Sequence, residues 1–422
     1  MPAAPAQPST RPPRVLSIDA LRGLVMFAMI LVNDIAPAEH LPWWMQHYSK
    51  DKPGGGLTFV DLVFPAFLFI VGMSIPFALG GRLARGEPLW KLLPHILVRT
   101  LSLLLIGVMM VNAASGPDTA QTIISRNTWT ALLYVAAILS FCAPGRDKTP
   151  SPRLKWITIV LRVIGFATLL WLALIYRTKT GDQILTFHTS WPIVSIRTQW
   201  YGILGLIGWA YLVGSIAYLL FRQNRLPLLA SMVLLLCLFA ADRNGAFHSL
   251  WLSSVVKIGT ALGAQPSITV AGILLATILL TPDTTTHRRR AVFTLLFIVA
   301  CSAGALLLQP LWGTSKNEAT PSWCLWACAA SAAVWLLFYL AMDAARAAWF
   351  FKPATLAGEN VFLAYLLSQG LESWLSIAHL AKRYDALADI DFPHALFRST
   401  TCAVVILALT ALLNRVGFRL KL

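Results

Sequence analysis

Between positions 33 and 61 the sequence gathers side chains able to move a proton and to hold a developing charge: Asn33, Asp34, His40, His47 and Asp61. An imidazole titrates near neutrality and suits a general base. A carboxylate beside it orients the ring and stabilises its charged form. Either Asp34 or Asp61 can serve His47 in this way, and His40 competes with it in the same loop; spacing does not separate them. Asn33 offers an amide donor to an oxyanion. Trp43, Trp44 and Trp191 present flat apolar faces that suit a pyranose or the membrane interface.

These residues flank two apolar runs. Asn33 and Asp34 close the first just before Pro37, and Thr58-Phe59-Val60-Asp61 opens the second with the spacing of a helix capping box. Gly54-Gly55-Gly56 between them lets the backbone turn tightly against a ligand. At the start of the first run, Asp19 and Arg22 have the spacing of an i,i+3 ion pair, with Ser17 as the expected helix cap.

The elements that must position these groups are membrane helices. The chain has 422 residues, 57% hydrophobic and 12% charged, with a mean hydropathy of +0.67. Soluble domains carry about 25% charged residues, so a soluble enzyme is excluded. Apolar windows recur at 18–36, 58–80, 95–113, 128–143, 156–176, 201–221, 227–241, 266–281, 291–309, 323–343, 354–377 and 395–414. They predict an all-α polytopic bundle of ten to twelve spans, with 227–241 and 266–281 short for the ~20 residues a span needs. Residues 1–13, rich in Pro and Ala, read as a disordered cytoplasmic tail, and 14–422 as a single transmembrane domain.

Placing the N-terminus inside puts 22 of the 34 Lys+Arg and six of the 18 Asp+Glu on the inner side, which then carries the whole net charge of +16. That asymmetry obeys the positive-inside rule and puts both termini in the cytoplasm. The longest loops, 37–57, 177–200 and 242–265, fall outside. No water-facing domain concentrates the positive charge, so nucleic acid is not an expected partner. The six cysteines lie in or beside apolar runs and read as buried thiols. The dispersed histidines give no metal-binding spacing, so no metal is expected.

The stretch from Ser17 to Pro76 resembles the heparan-α-glucosaminide N-acetyltransferase family of transmembrane acyltransferases, in its bacterial form. The similarity rests on S-I-D-A-L-R-G (Ser17–Gly23), Val32-Asn33, the loop histidine, G-L-T-x-x-D-L-V-F-P-x-F (Gly56–Phe67) and F-I-V-G-M-S-I-P (Phe69–Pro76). It continues at G-I-L-G-L-I-G-W (Gly202–Trp209), Ser315-Lys316-Asn317 and Gly358-Glu359-Asn360 with Tyr365. The family's L-Q-R motif is absent; Arg126-Asn127-Thr128 stands in its region.

The resemblance implies transfer of an acetyl group from cytoplasmic acetyl-CoA to the amine of an amino sugar or oligosaccharide on the far side of a bacterial inner membrane. It implies His47 rather than His40 as the catalytic histidine, either as general base or as acetyl acceptor. Asn33, Asp61, Lys316 and Asn360 become pocket residues, with Asn33 or Lys316 as oxyanion donor. Asp34 and Trp44 would help to hold the acceptor. Arg22, Arg82, Arg85 and Arg99 are available to the CoA phosphates, with Asn360 beside the donor. A homodimer is a further implication. Two other readings stand beside this one: a secondary transporter for sugars or amino sugars, and an O-acyltransferase acting on a glycan hydroxyl.

Overall fold

The computed structural model describes residues 15–48, 56–143, 151–187, 194–197, 200–281, 286–345, 349 and 352–421. The tail at 1–13, Gly54, Gly55 and Trp191 lie outside these residues. Every apolar window forms a helix. In chain order these are α1 (Leu16–Ile35), α2 (Phe59–Ala84), α3 (Leu89–Ser115), α4 (Arg126–Ser140), α5 (Pro152–Ile175), α6 (Gly202–Phe221) and α7 (Arg225–Arg243). They continue with α8 (Gln265–Leu280), α9 (His287–Trp312), α10 (Pro321–Phe338), the short α11 (Lys352–Ala357), α12 (Val361–Ile377), the short α13 (Ala381–Ala386) and α14 (Phe392–Arg415).

Among the described residues, ten helices are long and apolar enough to cross a membrane, and the chain is an integral membrane protein. The two windows expected to be short are not the short ones. The window at 227–241 lengthens to the 19 residues of α7, and a π-helical segment, Ile258–Ala264, extends α8 to 23 residues. The short elements are α4, with 15 residues, and α12, with 17. At 1.5 Å per residue these reach about 23 and 26 Å, less than a ~30 Å hydrocarbon core.

Successive long helices alternate in direction, so the bundle has two ends. The near end holds the start of α1. There a two-residue strand, β1 (Cys142–Ala143), pairs antiparallel with β4 (Arg419–Leu420). The far end holds the end of α1 and the loop carrying His47. There a hairpin of β2 (Leu185–Phe187) and β3 (Val194–Ile196) covers part of the bundle. Tyr201 Oη, at the start of α6, donates to Val255 O at 2.8 Å.

The helices α2 and α8 form the centre. A Cβ added at Gly72 would sit 1.9 Å from Thr269 O, and one at Gly272 would sit 2.1 Å from Phe69 O. The two backbones therefore touch. Close approach through small residues is how helices gain packing energy where lipid offers no hydrophobic drive. By contrast, α5, α7, α9 and α14 present rows of exposed Leu, Val, Ile and Phe, as lipid-facing helices must. All six cysteines are free; five are buried, and Cys237 departs from expectation by lying exposed on α7.

Candidate functional site

The capping box at the start of α2 forms as the spacing predicted, and it does more than end a helix. Asp61 is buried, with its side chain 4% exposed. Its Oδ2 accepts from Thr58 N (3.3 Å), Thr58 Oγ1 (3.0 Å) and Tyr48 N (3.1 Å). Its Oδ1 meets His47 Nδ1 at 2.8 Å. Four hydrogen bonds satisfy a carboxylate that would otherwise be costly to bury. The Nδ1–H of His47 donates to Oδ1, which leaves Nε2 as the lone-pair nitrogen. The imidazole itself stays 55% exposed at the far end. Of the two carboxylates the sequence offered to His47, Asp61 is the one that holds it.

A third group comes from 269 residues away. The loop between α9 and α10 brings Lys316 Nζ to 3.4 Å from His47 Nδ1 and 3.5 Å from Nε2. That loop is fixed to the start of α2 on several sides. Gly56 N donates to Thr314 O at 3.0 Å and Trp323 Nε1, at the start of α10, donates to Asp61 O at 3.2 Å, while Ser315 N donates to Thr320 Oγ1 at 3.0 Å within the loop. Arg243 pairs with Glu318 on the same loop. Burial pushes the Lys316 ammonium below the usual lysine value, while the Asp61 carboxylate pulls it back up.

Asn33 and Asp34 do not join this cluster. Both line a cavity of about 440 Å³ between α1, α12, α13 and α14. Asp34 Oδ1 accepts from Tyr384 Oη at 2.8 Å and Oδ2 from Ser399 Oγ at 2.6 Å. Arg398 Nη2 donates to Asp34 O at 2.7 Å, and Arg398 Nη1 lies 3.7 Å from Asp385 Oδ1. Burial, with help from Asp34, holds the Tyr384 phenol above its ordinary value and keeps it a donor. Gln369 and Glu372 complete the polar part of the wall. Trp44 packs edge-on against Phe392 at 6.0 Å, near the start of α14. His40 is exposed on the loop between α1 and α2.

Sequence reasoning passed over Arg398, Tyr384 and Glu372. The signal for two of them was present, since Glu372 and Arg398 are ionisable residues inside apolar windows, which is costly without a function.

At the near end the predicted donor-site residues separate. Arg22 donates to Asp19 Oδ1 (3.1 Å), Ser74 Oγ (2.8 Å) and Gly358 O (3.5 Å), so it joins α1 to α2 and to the turn before α12. The i,i+3 pair with Asp19 is therefore present. Ser17 is not the cap, however; Val15 occupies that position, and Ser17 is buried in the first turn. Asn360 is buried, its Nδ2 3.5 Å from Phe418 O, while Glu359 accepts from Asn414 at 2.5 Å and pairs with Arg419 at 3.5 Å.

Two glycines of separate motifs meet here. A Cβ at Gly23 would lie 1.9 Å from Ala354 O, and one at Gly358 would lie 2.2 Å from Asp19 O. Arg99 is elsewhere, on α3, stacked 4.7 Å over Tyr211 of α6. Arg82 and Arg85 both bind Glu87, whose carboxyl the Arg82 hydrogen bond holds below its usual range.

Among the described residues, no group of three or more His, Cys, Asp or Glu is arranged to hold a metal. An oriented imidazole, a buried carboxylate behind it and an ammonium beside it form an arrangement capable of acid–base chemistry.

The comparisons bear on this centre. Residues 14–210 match the family described as Domain of unknown function (DUF5009). The chain is 38% identical to human heparan-alpha-glucosaminide N-acetyltransferase over 104 residues, and 39% identical to the mouse protein over 113. These alignments cover 25% and 26% of this chain but only 15% and 16% of the relatives' length. The chain is thus similar to heparan-alpha-glucosaminide N-acetyltransferases over about a quarter of its length.

Proposed function

We propose that this protein is a membrane acetyltransferase that moves an acetyl group from acetyl-CoA to the amine of an amino sugar. The observation that carries the reading is the 2.8 Å His47–Asp61 pair with Lys316 against the ring, in a chain similar to N-acetyltransferases. The near end, where the basic residues concentrate, faces the cytoplasm, and the far end faces the outer side of a bacterial inner membrane.

In this mechanism His47 Nε2 takes a proton from the neutral acceptor amine as the nitrogen attacks the thioester carbonyl. The carbonyl becomes a tetrahedral oxyanion, and Lys316 donates to it, a role worth roughly 3–4 kcal/mol for one donor. The C–S bond then breaks, and the proton on His47 passes to the departing CoA thiolate. Asp61 stabilises the imidazolium throughout through its bond to Nδ1. An acetyl-His47 intermediate uses the same groups, with Nε2 as nucleophile. Asn33 and Asp34 face the polar cavity and bind the acceptor there, with Trp44 at its edge. Arg22, Asn360 and Arg99 lie towards the donor side, where CoA phosphates meet the basic end.

The test uses purified protein with radiolabelled acetyl-CoA and glucosamine, chitobiosamine or an amino-acid control. Acetylated amino sugar that disappears in His47→Ala supports the reading. Transfer to hydroxyls only would move the assignment to an O-acyltransferase, and no CoA binding at all would favour a transporter.

A further inference from the structure

A second cavity, of about 740 Å³, lies between α3, α5 and α6 under the β2–β3 hairpin. Its wall includes Leu105, Met109, Phe166, Leu170, Ile196 and Trp209 and is almost wholly apolar. The hydroxyl of Tyr201, which also lines it, is committed to Val255 O. On α3 the lining starts at Leu101, 14 residues before the helix ends at Ser115. The α3 lining ends at Met109 and the hairpin residues Leu185 and Ile196 continue it, so the cavity lies along the half of α3 nearer the far end. Leu105, Leu170 and Ile196 are 43%, 54% and 56% exposed, which opens it sideways to lipid.

This apolar cavity adjoins the polar one. Tyr201 lines the apolar cavity and Ile203 the polar cavity, so a single turn of backbone stands between them. Gly202, at the centre of that turn, has φ +64°, and a Cβ there would lie 2.9 Å from Gly107 O of α3. Gly202 thus adds no side chain to the divider and lets α6 pack closely on α3. A polar chamber with carboxylates, an amide and a guanidinium suits a sugar. An adjoining, laterally open apolar slot in the far half of the bilayer suits a hydrocarbon chain.

We propose that the acceptor is a lipid-linked amino sugar, whose head enters the polar cavity and whose hydrocarbon chain lies in the apolar one. The inference rests on the acetyltransferase reading for its chemistry: the amine nitrogen forms the new N–C bond, the thioester C–S bond breaks, and the lipid chain is unchanged.

The test compares methyl and dodecyl glucosaminide as acceptors for the full chain in lipid nanodiscs. The dodecyl compound should have a KM about tenfold or more lower, and because partition into the bilayer contributes to that gain, the cavity variants decide the comparison. Leu105→Trp or Leu170→Trp, both at half-exposed positions, should erase that advantage and leave the rate with the methyl compound unchanged. In parallel, a dodecyl glucosaminide with a chain-end diazirine should label α3, α5 and the start of α6, and excess methyl glucosaminide should reduce the labelling.

Equal KM values with scattered, uncompeted labelling would overturn the proposal and leave the acetyltransferase intact. Competed labelling of the cavity with no acetylation of either compound would retain the lipid-linked ligand and reject the acetyltransferase. Labelling of the cavity equally by an alkyl diazirine without the sugar would reduce it to an ordinary lipid contact and overturn the proposal.

Discussion

The two ends of the bundle both concentrate charge, and they use it in opposite ways. At the near end Arg22 is bonded to Asp19, Ser74 and Gly358, and Glu359 is bonded to Asn414 and Arg419. There the charged groups act as joints between α1, α2, α12 and α14. At the far end the fully bonded group, Asp61, sits behind a half-exposed imidazole whose second nitrogen faces outward. A motif residue at a joint reports packing, whereas one that ends on an exposed, oriented nitrogen reports chemistry. Arg22 and His47 belong to equally recognisable motifs, yet on this account only the second touches reacting atoms.

Substitutions sharpen that contrast. The largest effect is expected for His47→Ala, a loss of about 10²–10⁴ in the rate of acetyl transfer with protein yield unchanged. His40→Ala, in the same loop, should leave the rate where it was. Lys316→Met should cost about 10²–10³ in kcat, the value of one oxyanion donor. The pH profile gives that residue its own signature. Burial lowers the Lys316 pKa, so its charge is lost as pH rises through a value below that of an ordinary lysine. Activity should therefore fall on the alkaline side, and Lys316→Arg, which keeps its charge, should move that fall to higher pH.

A joint should break differently. Gly358→Val places a Cβ against Asp19 O and should cost about 1–3 kcal/mol of stability, read as a lower thermal midpoint in detergent. Thr58→Ala, which removes one of the hydrogen bonds to Asp61, should have the smallest effect, about 0.5–2 kcal/mol by the same measurement.

Much of this was legible in the residues. Continuous apolar windows located every long helix, because membrane spans must be apolar along their length. Thr58-x-x-Asp61 announced its capping box through spacing alone. The pairing of Asp61 rather than Asp34 with His47 was not legible. It depends on where a loop of undetermined path returns, and both carboxylates sit at helix ends. Lys316 was legible only through family resemblance, since nothing local ties the α9–α10 loop to α2. The polar cavity went unread because its walls come from α1, α12, α13 and α14, whose adjacency no periodicity encodes. The Gly23–Gly358 contact is of the same kind: each motif shows half of an interface.

The central claim is that His47 and Asp61 act as one unit, and a double-mutant cycle tests it most directly. The rate of acetyl transfer to an amino sugar would be measured for His47→Ala, Asp61→Asn and the double variant, with acetyl-CoA binding checked in each. If Asp61 works through His47, the double variant will be no slower than His47→Ala alone. Additive losses in the double variant would contradict the account, because they would mean that Asp61 serves the reaction without the histidine.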